Sequence, residues 1–225
     1  MNTERPQKTF EQLLDDYANL AVRVGVNLQP GQRLMIRAPI ETAPLVRRIA
    51  EHAYKIGSPL VSVMYHDDQL SLARFKHAPK DTFDTFPEWE ADSLLACAKR
   101  GDAFIRVSAS DPDLLKDQDP DDVATAIRSG QEHMREYMSY PMSDKIPWLV
   151  MSVPVEKWAR KVFPESGGTE ATAKLWDTIF KACRVDADDP VGAWSAHIAN
   201  LKHRSDYLNA KAYDKLHYWG GGTDL

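Results

Sequence analysis

From Phe10 onward apolar residues recur three and four apart. Phe10, Leu13, Leu14, Tyr17, Leu20, Ala21 and Val24 share one helical face, and Thr9 with Gln12 forms a capping box, so a helix is predicted up to Gly25. Pro30-Gly31 then marks a turn and Leu34-Met35-Ile36 a short strand. A second helix starts near Thr42, buries Leu45, Val46, Ile49, Ala53 and Tyr54, and ends at Gly57. Residues 60–65 read as a strand, 89–99 as a helix ending near Gly101, and 103–108 as a third strand. Asp111-Pro112 has the signature of a helix start, residues 121–137 read as another helix, and 148–153 form a fourth apolar strand.

Strands that alternate with helices need crossover connections. The expected fold class is therefore α/β, a mainly parallel sheet with helices on both faces. Beyond Val155 the period is helical only. Leu175, Trp176, Ile179 and Phe180 make one stripe, and Val191, Trp194, Ile198 and Leu201 another that begins at Asp189-Pro190. Ser166-Gly167-Gly168 is only a short loop, and neither an internal repeat nor a long linker is visible. The last residues, Leu216-His217-Tyr218-Trp219 and then Gly220-Gly221-Gly222-Thr223-Asp224-Leu225, read as one arm of a hairpin whose return strand is missing. The organisation expected is an amino-terminal α/β domain, 1–214, followed by 215–225 as the start of a truncated second domain to which the final strand belongs.

Composition narrows the function classes. The 225 residues suffice for a sizeable core, and 43% hydrophobic with 27% charged residues is ordinary for a globular chain. A net charge of −5 with no Lys/Arg cluster argues against a nucleic-acid partner. Cys97 and Cys183, both in helical stretches, form no Cys-x-x-Cys pair, which argues against a disulfide scaffold or structural zinc. The polar leading segment carries no secretion signal and no stretch reaches the ~20 apolar residues of a membrane span, so a cytoplasmic protein without membrane contact is expected.

Candidate chemistry is thin. His66, Asp67 and Asp68 follow the second strand at the sheet end where ligands gather, yet an aspartate capping the next helix explains them better. Ser108, Ser110 and Asp111 end the third strand without a nucleophile elbow, and capping again is the better reading. Ser143 and Lys145 sit in a turn rather than as a serine–lysine pair. His197 and His203, six apart on a helix, point from different faces. No His-Glu-x-x-His, phosphate loop or dinucleotide turn occurs, and Gly220 to Gly222 is a turn. No residue of the chain is assigned as catalytic, cofactor-binding or metal-ligating.

A set of strings, taken in order, resembles the amino-terminal domain of the thermophilic metallo-aminopeptidase family, of aminopeptidase T and aminopeptidase S type. They are Val24-Gly25-Val26-Asn27-Leu28-Gln29-Pro30-Gly31-Gln32, Ala38-Pro39-Ile40-Glu41, Ser108-Ala109-Ser110-Asp111-Pro112 and Met142-Ser143-Asp144-Lys145. Trp158-Ala159-Arg160-Lys161-Val162-Phe163-Pro164, Asp188-Asp189-Pro190-Val191 with Trp194 and His197, and Leu216-His217-Tyr218 with Gly222-Thr223-Asp224-Leu225 follow. The resemblance implies an exopeptidase that removes amino-terminal residues from peptides, using two divalent metals, zinc or cobalt, that share a water. It implies that the ligands belong to a carboxy-terminal domain absent from this chain, that the isolated chain holds no metal and is inactive, and that the protein is a homodimer. The competing reading is a stand-alone α/β binding or interaction protein without catalysis, in which a partner covers Tyr218 and Trp219.

Overall fold

The structure, a computed structural model, describes residues 8–225, so most of the polar leading segment lies outside the described residues. Thr9 opens helix α1 (Phe10–Leu20): its hydroxyl accepts from the Gln12 N–H at 3.3 Å, and its own N–H donates to the Gln12 side chain at 2.8 Å. The helix widens into a π turn over Ala21–Gly25. A Cβ on Gly25 would sit 2.5 Å from a methyl of Leu149, so a larger residue there requires that side chain to move. Strand β1 (Leu34–Pro39), helix α2 (Ala43–Ile56) and strand β2 (Val61–His66) follow, with Gly57 at φ +101° stopping α2 in the left-handed region.

Helices α3 (Asp68–His77) and α4 (Glu88–Lys99) lead to β3 (Ala103–Ser108), and α5 (Pro120–His133) with α6 (Arg135–Met142) to β4 (Trp148–Ser152). The four strands are parallel in the order β2-β1-β3-β4. The chain switches direction between β1 and β3, which opens a crevice at their carboxyl ends. This is the α/β architecture the hydrophobic pattern predicts. One sheet face, with Leu34, Ile36, Ala38, Ile105 and Val107, packs with α1 and α2 into the main core. The other bears Met35 and Phe104 against Leu94, Cys97 and Ile146, a smaller core roofed by α4 and α6.

The remaining helices are α7 (Glu156–Val162), α8 (Gly168–Ala182) and α9 (Pro190–Lys211). Phe180 is buried, and Trp176 and Ile179 pack on the main core as the stripe predicts. The second stripe divides: Val191 and Trp194 reach the core, whereas Ile198 and Leu201 are half exposed, and every residue over 198–225 is solvent-facing.

Three sequence expectations are corrected. No α-helix starts at Asp111-Pro112. Lys157 and Lys161 of α7 draw the Asp111 and Asp113 carboxylates outward at 2.5 and 2.7 Å, and residues 111–118 form a chain of tight turns. Tyr54 is half exposed rather than buried, because its hydroxyl accepts the Val61 N–H at 3.2 Å at the surface. The terminal hairpin has a return arm within the chain: β5 (Trp219–Gly220) pairs antiparallel with β6 (Thr223–Asp224). Gly221 and Gly222, at φ +46° and +93°, make the two-residue turn that the strand twist requires.

Candidate functional site

At the carboxyl ends of the strands the chain places most of its residues of chemical interest. Asp67 caps α3, its carboxylate accepting the Gln69 N–H at 2.7 Å, as the capping reading predicts. Asp111 caps a turn, accepting the Asp113 N–H at 3.0 Å, and pairs with Lys157 at 2.5 Å. Burial pushes its carboxyl up, but Lys157, the Asp113 N–H and Lys161 together outweigh that and hold it below its ordinary value. A shallow cleft of about 570 Å³ opens beside it, between Lys76, Lys116, Lys157, Arg160 and Lys161 with Asp113 and Asp117. Two of its lysines are paired, Lys157 with Asp111 and Lys161 with Asp113, and among the described residues neither Ser108 nor Ser110 meets a base there.

The other candidates stay apart. Ser143 bonds back to the Ser139 carbonyl at 2.6 Å while Lys145 lies over the Tyr140 ring, so no serine–lysine pair forms. His197 sits edge-on to Trp194 and 3.2 Å from the Arg184 guanidinium, and His203 is exposed. Cys97 and Cys183 are free thiols, both pushed up by burial. His217 bonds to Asp224 across the hairpin.

A constellation missed from sequence lies on the sheet face under α4 and α6. Across the strands run Met64, Arg37, Arg106 and Val150, each the register partner of the next. Two arginines thus stand side by side on the central strands, where like charges repel. Arg37 is ion-paired with Glu90 of α4, whereas Arg106 makes no hydrogen bond or ion pair among the described residues. His66 is held below its ordinary value by burial and then by Arg37, with Arg106 adding and Asp68 and Glu90 opposing. The signal was present in the sequence as a single arginine inside each of two apolar strands.

Among the described residues no group of three or more His, Cys, Asp or Glu side chains is placed to hold a metal ion, so the residues present do not fit a divalent metal centre. No described helix is long and apolar enough to cross a membrane.

Comparison with known proteins locates the fold. The chain is 44% identical over 213 residues to aminopeptidase 2 of Geobacillus stearothermophilus, covering 95% of this chain and 52% of that protein. It is 42% identical over 217 residues to aminopeptidase AmpS of Bacillus subtilis, covering 96% and 53%. The solved structure of wild-type AmpT from Thermus thermophilus superposes with a TM-score of 0.88 at 35% identity, over 96% of this chain and 53% of that one. The chain therefore spans about half the length of the curated relatives it matches. Its match to the thermophilic metalloprotease (M29) family runs over residues 10–225, nearly its whole length, and the chain belongs to that family.

Proposed function

We propose that this chain is the amino-terminal half of a metallo-aminopeptidase that removes amino-terminal residues from peptides, and that it serves as scaffold rather than catalyst. The observation that carries the reading is a pair of facts taken together: family membership extends through the chain, yet the matched relatives are about twice as long. The described residues offer no metal cluster, so the two divalent ions of the proposed enzyme, zinc or cobalt, would be held by residues beyond these. In this reading 1–214 is the α/β domain, 215–225 leads into the catalytic one, and the working enzyme is a cytoplasmic homodimer acting on peptides.

Exposure along residues 198–225 supports the division. Leu201, Leu208, Leu216, Tyr218 and Trp219 all face water, Trp219 at 78% exposure, and apolar surface of this extent favours a covering partner. The test is direct. The purified 225-residue chain is assayed with an aminoacyl-nitroanilide in the presence of zinc or cobalt, beside a chain extended to the relatives' length. Turnover confined to the extended chain is expected; turnover and tight binding of two ions by the short chain would overturn the proposal.

A further inference from the structure

The paired arginines of β1 and β3 line a cavity of about 250 Å³ whose other walls include Tyr137, Met138, Met142 and Trp148. Three features of this cavity point the same way. Its floor places Arg37 and Arg106 at paired positions on adjacent strands, about 4.8 Å apart. Only one carboxylate, Glu90, answers the two guanidiniums among the described residues, and it bonds to Arg37. The walls are apolar: Met138, Met142, Trp148 and Val150 are exposed around the charge, although such side chains normally seek cover.

A guanidinium left unpaired beside a second one favours an incoming anion, and its planar fork matches a carboxylate through two parallel N–H donors. The chain as a whole carries −5, so general attraction of anions is not available and the recognition must be local. An inorganic anion would satisfy the charge but leave the methionine and tryptophan walls bare. A peptide carboxylate flanked by an apolar side chain satisfies both.

We propose that the cavity between β1, β3, β4 and α6 binds a polypeptide carboxylate, with Arg106 as its principal donor, Arg37 beside it, and Met138, Met142 and Trp148 seating the neighbouring apolar side chain. The site is independent of the metal chemistry proposed above, and the 225-residue chain suffices to test it. The neighbouring His66 supplies the readout: the two guanidiniums oppose its protonation, Glu90 and Asp68 favour it, and a bound carboxylate adds to the favouring side.

Three N-acetylated pentapeptides of alternating alanine and leucine are titrated into the chain: one ending in a free carboxylate, one amidated, and one amidated with an internal glutamate. The His66 ring is followed by NMR against pH. At least one carboxylate-bearing peptide is expected to bind and raise the His66 pKa, the amidated control to do neither, and inorganic phosphate to bind more weakly. Binding by the first peptide alone assigns a chain terminus; binding by the glutamate peptide assigns an acidic side chain. Arg106→Gln should weaken binding at least tenfold and abolish the ligand-induced shift, with partial recovery in Arg106→Lys and unchanged thermal unfolding in both. Met142→Ser should weaken the peptide while leaving the response to acetate intact. Equal binding of acid and amide, phosphate binding as tightly as peptide, unchanged affinity in Arg106→Gln, or no binding at millimolar peptide would each overturn the proposal.

Discussion

Removing one oxygen atom from Tyr17 should cost the fold measurably, and the cost should vanish in alkali. The Tyr17 ring is buried against Trp176 and Phe180, with centroids 6.3 and 5.9 Å away. Its hydroxyl donates to the Ser152 carbonyl at 3.2 Å and accepts the Ser152 N–H at 3.3 Å, closing one residue of the open β4 edge. Tyr17→Phe keeps the ring contacts and loses two hydrogen bonds, each contributing about 1 kcal/mol net. Ser152 is half-buried, so water partly replaces the hydroxyl and the expected loss is about 1–2 kcal/mol at pH 7, or about 2–8 °C in Tm. Burial, reinforced by the nearby Cys183 and opposed by the Ser152 bond, raises the phenol well above its usual range. The unfolded phenol therefore ionises first, and the wild-type advantage is intact below about pH 10 and declines above it, by about 1.4 kcal/mol per pH unit. The two stability curves should meet about one unit above pH 10. Urea unfolding of both chains from pH 7 to 11 checks this; a difference below about 0.3 kcal/mol at pH 7, or parallel alkaline declines, would refute the reasoning.

Other perturbations test separate parts of the fold. Ile105→Ala, at the centre of the main core and 1% exposed, should cost about 2–5 kcal/mol by urea unfolding. Gly57→Ala forces an L residue to φ +101° where the neighbouring atoms sit at ordinary contact distance, so its cost of about 1–2 kcal/mol comes from backbone strain rather than crowding and is seen as a lowered Tm. Asp67→Ala removes the α3 cap at a local cost of about 1 kcal/mol. Since α3 buries no residue fully, that loss should show as faster hydrogen exchange at the Gln69 amide with little change in global unfolding.

Local signals carried most of the architecture. The α1 capping box, the Gly57 stop and the Asp67 cap are each decided by residues within a few positions of one another, and each stands where the sequence puts it. The misreadings have more than one cause, and only the first lies in distant partners. Asp111-Pro112 carries a helix-start signature, but two lysines more than forty residues later hold its carboxylates in another geometry. Tyr54 fits an apolar stripe until its hydroxyl meets the Val61 N–H. In the terminal hairpin the triple glycine was legible as a turn, but two-residue strands are too short to announce themselves by alternation.

The arginine pair shows why a site can be hidden in a legible fold. Arg37 and Arg106 lie 69 positions apart, and each alone is an ordinary interruption of an apolar strand. They become neighbours only because β3 pairs with β1 rather than β2, a consequence of the order β2-β1-β3-β4 that no local pattern encodes. The same order puts β4 at the edge, where Val150, the register partner of Arg106, stays 52% exposed. On the opposite face the corresponding strand positions are sealed by α1 and α2, so a charge there would carry the full desolvation cost. The arginines are tolerable because their face is roofed only toward the amino ends of the strands, by α4 and α6, and the gap that makes them tolerable is the one through which a ligand reaches them.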